Sequence, residues 1–259
     1  MWEVILSSMN IKSLKYGLAI AALAGFAGAA AAKTIVIRST GPSSAAYPAG
    51  KVLSDNGTIT LKVNDSVTIL DGKGTRTLAG AGKHSLTAST QTASTAQSSF
   101  QRLLVTQARA SRGGVSRGEK SVVMSPNLWY VDVRYGGTFC VNSSGTLKLW
   151  RPTAEGEALA KVTRTAGGQP SSLLFRKGMM EKSWPIRDMP VSDGATYSLQ
   201  MADGLPVTIK FVVMPKHDGN AAPALDDTAA ALAEKGCSAQ LNLLAETVSA
   251  AQASATPAS

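Results

Sequence analysis

"DGATYSLQM", residues 193–201, decides the fold. Asp193 and Gly194 are turn residues, and from Thr196 onward apolar and polar side chains alternate. Tyr197 and Leu199 share one parity, the pattern of a strand with one buried face. The D-x-A-x-Y spacing sets a tyrosine where a core strand begins, with its hydroxyl placed to bond back to the backbone just upstream. Such a strand needs a second layer to cover it, so the stretch predicts packed β-sheets and not a helical domain.

The flanking sequence agrees. "LWYVDVR", "GTFCV", "TLKLWR", "LAKVTRT", "SLLFRKG" and "VTIKFVVM" are short apolar runs separated by Gly, Asn, Ser and Pro turns. Even spacing of that kind predicts a β-sandwich over residues 122–216. Asp193 and Tyr197 have the tyrosine-corner spacing of immunoglobulin-type domains, with Leu199 standing where a cysteine would be. Cys140 and Trp150 supply part of the remaining pattern at too short a gap. The unit therefore resembles an immunoglobulin-like sandwich in architecture.

Upstream, residues 33–84 read as a small all-β barrel or sheet. "KTIVIRS" is a β-branched strand, and Ile59, Leu61, Val63, Val67 and Ile69 keep one parity across an "ND" turn. "DGKG" at 71–74 is a hairpin signal, because Asp-Gly suits a turn that needs positive φ. "LAGAGKHS", residues 78–85, looks like the end of a phosphate-binding loop, but Thr77 stands where the first glycine is required and His84 where a hydroxyl is required. We expect no nucleotide there; the glycines should end the last strand and mark the domain edge. The pattern "NDSVTILDGKGTRTLAGAG" resembles the small β domains of ferric-citrate-regulator-type and SH3-like periplasmic proteins. "SWPIRDMPVSDGATYSLQM" is similar to β-sandwich modules of exported bacterial proteins. Together the two resemble a family of Gram-negative secreted proteins, which implies a non-catalytic envelope role and supplies no catalytic residues.

Residues 85–121 read as a linker. Nine of the fifteen residues at 85–99 are Ser or Thr and none is charged, a composition from which no core is expected. Phe100, Leu103, Leu104 and Ala108 share a face of a short helix. Arg102, Arg109, Arg112, Arg117 and Lys120 form the most basic window, a candidate contact for a polyanion. After Pro223 the period changes. "LDDTAAALAEKG" offers Asp226 or Asp227 as a cap and Gly236 as a stop, and residues 223–248 read as a helical hairpin packed on the sandwich. Residues 249–259 read as a disordered tail.

The chain start gives location. Lys12 and Lys15 precede an uncharged run from Tyr16 to Ala32, where Ala30 and Ala32 satisfy the small-residue cleavage rule. Residues 1–32 are expected to be a signal peptide, with translation from Met1 or Met9. Cleavage leaves 227 residues, removes two lysines and one glutamate, and takes net charge from +9 to +8. No later run approaches the roughly 20 apolar residues of a spanning helix, so the protein is expected in the periplasm or secreted. The two cysteines, Cys140 and Cys237, are expected to form a disulfide there.

Catalytic signatures are missing. His84 and His217 are the only histidines, no G-x-S-x-G elbow occurs, and no zinc or calcium spacing is present. We expect no metal, no cofactor and no nucleic acid. Asp132, Glu155, Glu157, Asp188, Asp193 and Asp203 would be the pool for a glycan hydrolase. Trp129 and Trp184, which adjoin Pro-containing turns, are candidate ligand platforms. The expectation is a non-catalytic binding protein of the bacterial envelope whose ligand is a protein or an anionic polymer. A secreted glycan hydrolase and an accessory subunit of an envelope sensor are the alternatives.

Overall fold

A computed structural model of the chain describes residues 33–87, 93–104, 123–142, 147–202, 204–215 and 223–255. Strands β1 (Lys33–Thr40), β2 (Val52–Ser54), β3 (Thr58–Leu61), β4 (Ser66–Asp71), β5 (Gly74–Ala79) and β6 (Gly82–Ser85) build the first β unit. They form an antiparallel sheet in the order β2-β1-β4-β5 and a second ribbon, β3-β6. The pleat sends Val36, Val67 and Ile69 toward Ile59, Leu61 and Leu86 in a small core. Ile35, Ile37 and Leu70 belong to a different core. β1 is thus buried on both faces, which is why "IVI" reads as a continuous apolar run.

Two expectations are corrected here. Val63 leaves the alternating pattern and is 68% exposed, because the chain turns after Leu61 and Asn64 adopts φ 65°. The stretch 82–85 does not release the domain. Lys83 and His84 pair with Thr60 and Ile59 as the last strand, and Leu86 is buried beyond it.

The Ser/Thr-rich segment contributes to the core after all. Helix α1 (Ala93–Leu104) buries Ala96, Ser99, Phe100 and Leu103. That i, i+3, i+4, i+7 spacing is one helix face. The Ser99 hydroxyl donates to the carbonyl of Thr95, so its burial leaves no polar group unpaired. Opposite, Gln97 and Gln101 both donate to the carbonyl of Pro223.

The sandwich comprises β7 (Val131–Asp132), β8 (Gly137–Asn142), β9 (Lys148–Trp150), β10 (Ala158–Arg164), β11 (Ser171–Phe175), β12 (Glu181–Ser183), β13 (Thr196–Met201) and β14 (Val207–Met214). One sheet has the order β11-β10-β13-β14-β8 and the other β12-β9-β7. β10, β13 and β14 are antiparallel neighbours in the larger sheet, and in the smaller one β12 runs antiparallel and β7 parallel to β9. β8 runs parallel to β14. The Tyr197 hydroxyl donates to the carbonyl of Pro190, and Asp193 accepts the N–H of Val213. Trp184 meets Tyr197 and Phe211 edge-on at 5.2 and 5.1 Å. Trp150 is fully buried on β9, and Cys140 faces out of the sandwich.

Cys140 faces the helices. Phe139 and Val141 point into the sandwich, while Cys140 between them enters the core that Ile35 and Phe100 share with α2 (Leu225–Glu234) and α3 (Ser238–Ala255). Gly236, at φ 72°, ends α2, with Gly236 N–H donating to Ala233 and Cys237 N–H to Leu232. This is the Schellman pattern of reversed bonds. Cys237 follows at once and is bonded to Cys140, the two Cα atoms 5.8 Å apart.

The helical segment departs from expectation in three ways. The cap of α2 is Ala224, with Asp226 and Asp227 inside the first turn. α2 lies on β1 and β4, so the hairpin packs on the first β unit as well as on the sandwich, which α3 meets at β8. Residues 249–255 are helical. Gln252 accepts the N–H of Thr75 at 2.9 Å and Ser249 meets the Thr75 hydroxyl, docking the end of α3 on the β4–β5 hairpin. Among the described residues no helix is long and apolar enough to cross a membrane.

Candidate binding groove

One wall of a groove of about 240 Å³ is α3 and the other is the segment around the β7–β8 turn. Helical periodicity makes the first wall. Ser238, Asn242 and Glu246 follow at i, i+4 and i+8 and are exposed, with Leu243 beside them. The second wall is Asp132, Arg134 and Tyr135, and Tyr130, Phe139 and Gln240 also line the groove.

Asp132 and Arg134 fix each other. Asp132 accepts the backbone N–H of Arg134 at 3.0 Å, closing a turn, and takes a fork of bonds from the guanidinium, the shortest 2.6 Å. The guanidinium lies 5.2 Å from the Tyr135 ring and 5.4 Å from the Trp150 ring. It also donates to the carbonyl of Val123. The Asp132 hydrogen bond, with the field of Asp132 and Glu246 added, outweighs partial burial and holds the Arg134 pKa above its ordinary value. Below, the Tyr130 hydroxyl meets Glu181 at 3.5 Å, and Glu181 pairs with Lys148 at 2.7 Å. The Glu181 bond likewise raises the pKa of Lys148.

This arrangement suits recognition more than proton transfer. Both oxygens of Asp132 are engaged by Arg134, so it is no free general base. Enclosing sites for drug-sized ligands run to about 300–1,000 Å³. A groove of about 240 Å³ takes a single ring or side chain of something larger.

The residues singled out from sequence lie elsewhere, apart from Asp132. Trp184 is 4% exposed and its indole N–H donates to the carbonyl of Met189, so it fills the sandwich and is no ligand platform. Trp129 is half-buried against the helical core. Arg102 is exposed at the end of α1, its Nε facing the carbonyl of Ser98, and Arg109, Arg112, Arg117 and Lys120 fall outside the described residues. Glu155 and Glu157 are exposed and Asp193 serves the β13–β14 corner; Asp203 and His217 lie outside the described residues. His84 is half-buried, with Nε2 2.9 Å from the carbonyl of Gly80. Among the described residues no cluster of His, Cys, Asp or Glu could hold a metal ion.

Sequence reasoning missed Tyr135, Arg134, Asn242 and Glu246. The polar stripe at i, i+4, i+8 along α3 was the available signal. A buried arginine also went unread: Arg151, 3% exposed, donates to the carbonyls of Gly156, Arg176 and Met179 and lies 5.3 Å from the Phe175 ring. A scan against models of known protein families finds no match, and a search of curated proteins finds none either.

Proposed function

We propose that the chain is an exported, non-catalytic binding protein of the bacterial envelope, cut after Ala32 and acting in the periplasm or outside the cell. The observation that carries this reading is the groove, where Asp132 is chelated by Arg134 while Tyr135, Asn242 and Glu246 stand exposed at the rim. The basic, apolar and small-residue zones of residues 1–32 and the buried Cys140–Cys237 disulfide support the location. So does the resemblance of the first β unit to periplasmic β domains. The groove holds one cation and two carboxylates, so it favours an uncharged or basic group over an anionic one. That balance points to a protein partner, with a polyanion the competing ligand for the basic surface.

A photo-crosslinking residue placed at Tyr135 of the exported protein tests the reading. A discrete protein adduct is expected from that position and not from Thr208 on the open sheet face. Identical adduct patterns at the two positions would overturn it. So would retention on purified lipopolysaccharide or peptidoglycan as the sole binding observed, unchanged by Tyr135→Ala.

A further inference from the structure

We propose that Asp226 and Asp227 form a receiving site for the α-ammonium group that leader removal creates at Lys33. The inference rests on the cut after Ala32 proposed above. The backbone nitrogen of Lys33 lies 3.3 Å from Asp226 Oδ2, and its Nζ lies 3.2 Å from Asp227 Oδ1. Two adjacent carboxylates thus hold the two nitrogens of the residue at which the mature chain begins.

In the uncut chain that nitrogen is an amide with one donor and no charge. A leader peptidase adds water across the Ala32–Lys33 bond. Ala32 departs with the new carboxyl group, and the Lys33 nitrogen becomes a primary amine that takes up a proton near neutral pH. It then carries three donors and a positive charge, directly against a carboxylate. The bond to Asp226 becomes charge-assisted without any change of partner.

Both partners are held by regular structure. Lys33 is already paired in register with Ser54 as the first residue of β1, so its nitrogen is fixed by the sheet. Asp226 is fixed by the first turn of α2, whose N–H groups favour a carboxylate there. One leftover leader residue would restore the amide and carry the charge about 3.3 Å further along the strand. The helix dipole alone explains two acids in the first turn of α2; it does not explain why both face Lys33. Because β1 and α2 share the helical core, the site links processing of the chain to the packing of its first strand.

The test uses thermal unfolding of four proteins. A carrier fusion is cut to leave Lys33 as the first residue, and a second form begins at Ala31; each is made with Asp226 and with Asp226→Asn. The Lys33 form should melt about 2–4 °C above the Ala31 form, the shift expected for about 1 kcal/mol in a chain of this size. Asp226→Asn should lower the Lys33 form and close most of that gap. Equal melting of the two parent forms, or an equal loss from Asp226→Asn in both, overturns the site. Amino-terminal sequencing of the exported protein tests the cut separately: a first residue other than Lys33 overturns the processing reading, while the melting comparison still decides whether the carboxylates recognise the ammonium.

Discussion

The side-chain amide of Gln240 pairs with both backbone groups of Cys140, accepting its N–H at 2.7 Å and donating to its C=O at 2.8 Å. Cys140 lies on β8, the outermost strand of the five-stranded sheet. A glutamine from α3 therefore stands in for the next strand and closes an edge that would otherwise bury unpaired backbone groups. It donates as well to the carbonyl of Leu128 at 2.9 Å. Gln240→Leu keeps the volume and orphans all three groups, each costing about 1–3 kcal/mol when buried. We expect a loss of at least about 3 kcal/mol in urea unfolding, with the m-value unchanged.

The disulfide closes a loop of 97 residues, which by chain entropy is worth about 4.7 kcal/mol. Both cysteines are fully buried, so reductant should act only through unfolding. Non-reducing mass spectrometry should find Cys140 joined to Cys237, and Cys140→Ser with Cys237→Ser should lower the denaturant midpoint by the corresponding amount.

Phe100 is the largest side chain α1 gives to the core and is fully buried. Phe100→Ala should cost about 3–5 kcal/mol. Gln101→Ala, one residue on and only half-buried, should cost about 1 kcal/mol or less. Near-equal small losses would show that α1 is not part of the folded core.

Removing the corner hydroxyl with Tyr197→Phe leaves the carbonyl of Pro190 without its donor while Trp184 keeps its ring contact. A loss of about 1–2 kcal/mol is expected in equilibrium unfolding.

Asp65 sets part of the acid stability. Burial works to raise its pKa, but hydrogen bonds from Ser43 and Lys62, with the charge of Lys62, hold it below the ordinary value. A lowered native pKa gives stability that is complete above the unfolded value, about 3.9, and is lost as pH falls through the native one. Asp71 works with the opposite sign, because burial raises its pKa and its charged form costs stability at neutral pH. Asp65→Asn should therefore be less stable than the parent at pH 7 and converge on it as pH falls below the unfolded value of about 3.9, as read from urea midpoints along an acid series.

The strands were legible where one face meets water. Tyr197 and Leu199, or Ile59 and Leu61, alternate because their neighbours are half-buried or exposed. β12 was not legible: its "EKS" side chains are only partly covered, so pairing with β9, and not burial, defines it. The first half of α1 was hidden by composition, since the buried face before Phe100 is an alanine and a serine and becomes apolar only once Thr95 takes the Ser99 hydroxyl. The groove was hidden for a related reason. Arg134 and Glu246 are far apart in sequence, and only the seating of α3 against β8 brings their elements together.

The bond between Cys140 and Cys237 also makes a ring of the polypeptide that contains β9 to β14 and α2. A proteolytic cut anywhere inside that ring leaves a single covalent molecule, whereas a cut before Cys140 leaves the first β unit joined to the rest by packing alone. Clipped forms of this protein should thus migrate as one species until thiol is added when the cut falls in the ring, and their fragments should separate without thiol once the cut form is denatured when it falls before Cys140.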